Sequence, residues 1–242
     1  MNKVIFSEKK PIKLWLEYIE EDALNQAKNL ANLPITFKHV AVMPDSHVGY
    51  GMPIGGVAAA ENAISPNMVG VDIGCGVCAI KTSLTEIDPA KLKIIMANIR
   101  KTIPVGFEHH RTKQDQSLMP PLKGKYKIVE HEYSAALKQI GTLGGGNHFI
   151  EIQKGSDNHI WIMIHSGSRN FGLKNAEYYH QQARIINEKN FPEVPLKWDL
   201  SFLPADSGLG QMYIKEMQYC VEFALANRKL MMDRVCGVFK DQ

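Results

Sequence analysis

Apolar residues recur at helical spacing in five stretches of the chain and alternate at strand spacing in four others. Trp15 to Ala31 places Leu16, Ile19, Ala23, Leu24, Ala27, Leu30 and Ala31 on one face, and Pro34 ends the run; this predicts a surface helix. Asp88 to Arg100 reads as a second helix, with Asp88 as its cap, Pro89 in its first turn and Leu92, Ile95, Met96 and Ile99 facing inward. Lys127 to Ile140 is a third, closed by Gly141. Phe171 to Lys189 is a fourth, and Leu209 to Val235 a long fifth whose stripe is read as Met212, Met217, Val221, Leu225, Leu230 and Met231. Ile35 to Met43 and Val77 to Leu84 read as strands. The polar, proline-containing run from Gly106 to Gly124 has no period and reads as a long loop or lid, in which His109 and His110 are expected to be solvated rather than to touch a substrate.

Between those first two strands the periodicity breaks down. Met43 to Cys78 packs seven glycines and three prolines into 36 residues, together with Asp45, His47, Asp72 and Cys75. Such a segment is expected to be turns and short strands. Asp72 and Cys75 offer a hard oxygen and a soft sulfur three residues apart, and Gly74 lets the backbone bend so that both face one point. That is spacing suited to metal ligands.

A second chemical region follows the third helix. In TLGGGNHFIEIQKGSDNHIWIMIHSGSR two apolar runs flank a turn-rich KGSDNH, a hairpin signal. Strands His148 to Gln153 and Ile160 to His165, joined by that six-residue loop, would pair Gln153 with Ile160 and His148 with His165. Directly opposed side chains have Cβ atoms about 4.5–5.5 Å apart, close enough for two imidazoles to share an ion. From the hairpin alone the two histidines are equally well read as ordinary, partly buried residues; Asp72 and Cys75 favour the chelate. Gly144-Gly145-Gly146-Asn147 and Ser166-Gly167-Ser168-Arg169 flank the histidines with phosphate-friendly backbone, hydroxyl and guanidinium donors. Asn147, His148 and Glu151 can serve one site only if the strand begins with a bend.

Composition changes this picture little. With 242 residues and 45% hydrophobic content the chain can bury a sizeable core, expected as one domain over residues 1–242. A net charge of +3 neither announces nor excludes nucleic acid. Four cysteines without framework spacing, no apolar leader and no run of 18 apolar residues favour a reducing, cytoplasmic location without a membrane span.

MPDSHVGYG, VGVDIGCG, TLGGGNHFIE and IHSGSRNFG, in that order, resemble the motifs of the RtcB-type RNA ligases over essentially the whole chain, least so from Glu188 to Pro204. The resemblance implies a GTP- and manganese-dependent ligase, active in tRNA splicing or RNA repair. It would join an RNA 3′-phosphate or 2′,3′-cyclic phosphate end to a 5′-hydroxyl end through a histidine-linked guanylate. It implies two Mn²⁺ sites, with Asp72, Cys75, His148 and His165 as metal ligands and the Cys75 sulfur bridging. Asn147, His148, Phe149, Ile150 and Glu151 would bind the guanylate, with Asn147 on phosphate and Glu151 on the guanine edge, and Arg169 would meet RNA phosphate. Asp45 and His47 match the MPD-x-H segment, where a role in the turn is equally open; Cys78 matches no ligand.

Family members are expected to continue beyond the position matching Gln242, with another metal-binding histidine, the histidine that accepts GMP and much of the guanine pocket. No histidine follows His180. No catalytic residue is therefore assigned, and this chain alone is expected to be inactive and to need a C-terminal region or partner chain. An apolar stripe left open on the last helix would favour self-association. The alternatives from other classes are a metal-dependent phosphoesterase acting on RNA ends and a noncatalytic metal- or RNA-binding module. The expected fold is α+β, with mixed or antiparallel sheets around the metal site and helices packed outside. A doubly wound sheet is not expected, because no βαβ phosphate fingerprint follows the first strand.

Overall fold

The computed structural model describes residues 1–240. Its elements run β1 (Lys3–Ile5), β2 (Ile12–Leu14), α1 (Glu21–Asn32), β3 (Thr36–His47), β4 (Ile54–Ala60), β5 (Ala63–Ile64), α2 (Pro66–Val69), β6 (Gly76–Lys81), α3 (Pro89–Thr102), α4 (Ile128–Gln139), β7 (Phe149–Lys154), β8 (Ile160–Ser166), α5 (Arg169–Asn190), β9 (Leu203–Pro204) and α6 (Gly208–Lys240). The fold is the expected α+β, with several sheets accompanied by helices. Contacts group the chain into two units, Met1–Val71 with Ala176–Lys215, and Asp72–Asn175 with the chain from Glu216 on.

The first unit holds a four-stranded mixed sheet in the order β1-β2-β3-β4, in which only β2 and β3 run parallel. Its core gathers Ile12, Leu14, Leu30, Val40, Val42 and Phe202. The helix expected from Trp15 begins instead at Glu21, because residues 12–14 pair with β3 and the Trp15 N–H donates to the Val42 carbonyl at 2.9 Å. The predicted buried face of α1, with Ala23, Ala27, Leu30 and Ala31, is observed. β3 runs on into the glycine-rich segment through two irregularities, near Lys38 and Asp45, both left-handed with φ of 55° and 61°.

In the second unit β6, β8 and β7 form an antiparallel sheet. One face presents Ile150, Ile152, Ile162 and Ile164 to Ile95 and Ile99 of α3 and Met231 and Val235 of α6. The hairpin register is displaced by one residue from the expected one. Phe149, not His148, pairs with His165, and Lys154 pairs with Ile160. The turn is tighter than the sequence suggests: Gly155 N–H donates to the His159 carbonyl at 2.8 Å, Asn158 N–H donates back to Gly155 at 3.0 Å, and Asn158 is left-handed. Lys154 is thereby drawn into the ladder and His148 is left just outside the strand.

Asp88 caps α3 as expected, accepting from the N–H groups of Ala90 and Lys91 at 2.9 and 3.2 Å. The start of α4 is capped from a distance: the buried Glu216 carboxylate of α6 accepts from the N–H groups of Ile128 and Val129, at 3.0 and 3.1 Å, and from Lys127 N–H. Gly141, left-handed at φ 76°, follows the end of α4. Residues 106–124 form the anticipated loop around one short 3₁₀ turn at Gln116–Leu118.

The inward face of α6 differs from the predicted stripe. Glu216, Cys220, Phe223, Ala224, Asn227, Met231 and Val235 are buried, whereas Leu225 is 61% exposed and Met212, Met217, Val221 and Leu230 are half-buried. Two polar residues, Glu216 and Asn227, lie on the buried face, so a search for apolar residues alone picks the wrong rotation of the helix.

Candidate metal centre

Asp72 to Cys75 make a turn in which Cys75 N–H donates to the Asp72 carbonyl at 3.0 Å. Ile73 is buried beneath it and Gly74 is left-handed at φ 76°. A Cβ on Gly74 would also come within 2.9 Å of the Val221 backbone of α6, so the turn can lie this close to the helix only with glycine there. The consequence is that Asp72 and Cys75 face the same side.

The two histidines arrive separately. Left-handed Gly144 and Gly146 bend the chain before β7, supplying the bend that the sequence required, and His148 follows them. His148 Nδ1 lies 2.9 Å from the Leu143 carbonyl oxygen, and His165 Nδ1, on β8, lies 3.1 Å from that of Asn147. A carbonyl can only accept, so each Nδ1 carries a proton and each Nε2 is turned toward the other groups. Cys75 Sγ lies 3.1 Å from His165 Nε2 and 3.5 Å from His148 Nε2, and the rings meet edge-on with centroids 5.3 Å apart. The three ligand atoms all fall within 4.8 Å of one another. The predicted proximity of His148 and His165 is thus present without the predicted pairing.

Asp72 completes the constellation. Its Oδ2 lies 2.9 Å from His148 Nε2, and its Oδ1 accepts from the Ser168 N–H at 2.9 Å. Burial raises the Asp72 pKa, but the hydrogen bonds with His148 and Cys75, the His148 charge and the Ser168 N–H outweigh it, so the carboxyl stays below its usual range. Burial and the adjacent Asp72 carboxylate push the Cys75 thiol up to about 12. A soft sulfur, two oriented imidazoles and one carboxylate fit a divalent transition ion, with ligand chemistry that suits zinc as well as manganese.

Arg169 opens α5 in a left-handed conformation, φ 58°. Its Nε donates to Thr142 Oγ at 2.9 Å and its Nη2 to the Gly106 carbonyl at 2.7 Å. A Cβ on Gly144 would overlap Arg169 Nη1 and come within 2.6 Å of His148 Nδ1, so the guanidinium and the imidazole flank one glycine. Phe149 packs edge-on against His165 at 5.4 Å. Glu151 lies on the same sheet face as Phe149, two residues along, where it accepts from Gln153, and Asn147 is exposed in the turn. Ile150 is different: its side chain joins the apolar cluster on the opposite face and is not brought to Glu151. Asp45 and His47 lie on β3 of the first unit, both exposed, with Asp45 at a left-handed kink. His110 lies 2.9 Å from Arg234 Nη1 and 3.3 Å from the Gly141 carbonyl, contacts that belong to packing.

The residues that brace this site were not read from the sequence. Asn227, fully buried on α6, accepts through Oδ1 from the N–H groups of Gly141 and Thr142 at 2.7 and 3.2 Å. Its Nδ2 donates to the Thr142 carbonyl, Ser166 Oγ and the Gly167 carbonyl at 3.1–3.2 Å. The next residue, Arg228, donates from Nη1 to the carbonyls of Gly74 and Ser166 at 2.7 and 2.8 Å. Two adjacent side chains of one helix thereby fix the backbone on both sides of the candidate ligands. Their signal in the sequence is a polar pair interrupting an apolar helix.

Fold and site together define a mixed α+β chain carrying a candidate metal centre. A family model described as tRNA-splicing ligase RtcB matches residues 26–125 and 121–242. The RNA-splicing ligase RtcB of Escherichia coli K12 is 36% identical over 252 residues, covering 96% of this chain and 62% of that protein. The tRNA-splicing ligase RtcB of Thermococcus kodakarensis is 33% identical, covering 93% of this chain and 57% of that protein, and that of Methanococcus maripaludis is 33% identical over 90% and 55%. The chain belongs to the RtcB family. It spans about three fifths of the length of these relatives. Among the described residues no helix is long and apolar enough to cross a membrane.

Proposed function

We propose that the protein carrying this chain is a GTP- and manganese-dependent RNA ligase. It would join 3′-phosphate or 2′,3′-cyclic phosphate ends to 5′-hydroxyl ends through a histidine guanylate, in tRNA splicing or RNA repair. The observation that carries this reading is the convergence of Cys75 Sγ with His148 and His165 Nε2 within 4.8 Å, with the Asp72 carboxylate against His148. A divalent ion bound by these four residues would supply Lewis acidity and counter-charge to an RNA phosphate.

The remaining assignments concern side chains of this unit. Arg169, held by Thr142 and Gly106 and close to His148, is the proposed anchor for an RNA phosphate, since a fixed guanidinium recognises phosphate oxygens in pairs. Asn147, Phe149 and Glu151 are proposed to meet the guanine nucleotide, and His148 borders both groups. Ile150 would take part through its backbone, because its side chain is committed to the core. Manganese rather than zinc is proposed from the resemblance of the motifs to the family, since the donor set suits either ion.

Manganese binding by the 242-residue chain tests the reading directly through the electron paramagnetic resonance of free Mn²⁺. Wild type is expected to bind, and Cys75→Ala to lose the ion by at least about tenfold in affinity, the effect typical of disturbing a ligand set. Equal binding by the two would remove the metal centre from the proposal.

A further inference from the structure

One exposed aromatic residue stands beside this site without a role. Phe107 is wholly exposed, at 102% of its reference area. It occupies the tip of a tight turn in which Glu108 N–H donates to the Val105 carbonyl at 3.2 Å and Gly106 is left-handed at φ 66°. Single exposed apolar side chains are ordinary. What distinguishes Phe107 is how firmly the base of its turn is tied to the site. Gly106 N–H donates to the Gly144 carbonyl at 2.7 Å, Val105 bridges to Gly144, and the Gly106 carbonyl accepts from Arg169 Nη2. The phenylalanine therefore projects from the residue next to the one that holds the guanidinium.

Charge around the turn suits the same ligand. His109 lies close to Arg169, where partial burial and the guanidinium charge hold its pKa below the ordinary range and favour the neutral ring, so the positive charge at this point is that of Arg169. Arg111 and Lys113 follow in the same loop, against Glu108 as the acidic residue beside Phe107. A fixed guanidinium held by the residue beside an open aromatic side chain matches a single-stranded nucleotide, whose phosphate and base require both at once.

We infer that Phe107 is a stacking platform for a base of the single-stranded RNA end whose phosphate is held at Arg169. The inference rests on the RNA-ligase reading and adds to it a contact for the base. Stacking on an aromatic face tolerates any base, so the contact strengthens end binding with little sequence preference, favouring purines through their larger rings.

The test uses a short fluorescent single-stranded RNA with a 3′-phosphate, titrated with the 242-residue chain and Mn²⁺ and followed by anisotropy. Phe107→Ala, a substitution at a fully exposed position that leaves the fold intact, is expected to weaken binding roughly 5- to 100-fold. Phe107→Trp should bind at least as tightly as wild type. An otherwise identical RNA with an abasic terminal nucleotide should bind wild type and Phe107→Ala equally, because the base that stacks has been removed. Wild-type binding matched by Phe107→Ala would overturn this inference alone. A loss in Phe107→Ala that persists with the abasic RNA would assign the residue a structural role and overturn it too. Reduced self-association with unchanged RNA affinity would make Phe107 a protein contact, again overturning it. Failure of the wild type to bind RNA while binding Mn²⁺ would bring down the RNA reading and this inference together.

Discussion

Replacing Asn227 by alanine should cost far more than the loss of one polar side chain from a helix. The amide is fully buried and makes five hydrogen bonds to residues 141, 142, 166 and 167. Alanine leaves the Gly141 N–H without the 2.7 Å acceptor it uses, and a buried orphan of this kind costs about 1–3 kcal/mol. The carbonyls of Thr142 and Gly167 lose a donor but retain a second lone pair, so their share is smaller. Together with the space left behind, a destabilisation of about 3 kcal/mol is expected. With a urea m-value of about 2–3 kcal/mol/M, the midpoint should fall by about 1 M with the slope unchanged. Asn227→Asp should be no milder, since a carboxylate oxygen would then face the Thr142 and Gly167 carbonyls where an N–H₂ now donates. Equilibrium urea unfolding followed by near-ultraviolet circular dichroism measures both. A shift of Asn227→Ala below about 1 kcal/mol, or an aspartate variant as stable as wild type, would refute the bracing role of this residue.

Two further outcomes follow from the site itself. Gly167→Ala places a Cβ on the Asp72 carboxylate; displacement of Asp72 should lower Mn²⁺ affinity by about tenfold or more, read by titration calorimetry, and an unchanged affinity would mean that Asp72 contributes nothing to the ion. Because burial and Asp72 hold the Cys75 thiol at about 12, the sulfur is protonated near neutrality and must lose its proton to ligate. Affinity should therefore rise with pH, by up to about tenfold per unit between about pH 7 and 9, with about one proton released per ion bound. Calorimetry in buffers of different ionisation enthalpy counts that proton, and a flat profile would exclude the thiolate as a ligand.

Much of the scaffold was readable where one local rule acts alone. Asp88-Pro89 marked the start of α3 because a side-chain cap and a missing N–H are local devices. The aspartate and cysteine around Gly74 were readable as a pair because one turn carries both. The failures share a cause in tertiary competition. Trp15 continues the pairing of residues 12–14 with β3 by donating to Val42, so the helix read from Trp15 starts only at Glu21. The hairpin slipped by one residue because Gly155 and Asn158 closed a smaller turn than the polar run implied. On α6 the burial of Glu216 and Asn227 depends on acceptors and donors forty or more residues away in sequence, and no pattern within the helix announces such partners.

The carbonyls that orient His148 and His165 belong to the main chain of Leu143 and Asn147. No change of side chain at those two positions deletes them, so the tautomers of both imidazoles are insulated from substitution in a way that a carboxylate partner would not be. Fragility moves instead to residues that have no side chain at all. Gly144 and Gly167 keep clear the volume beside His148 and Asp72, and adding a single methyl group at either does what no substitution at Leu143 or Asn147 can do. Mutational sensitivity at this site is therefore expected to follow the path of the backbone more closely than the chemistry of the neighbouring side chains.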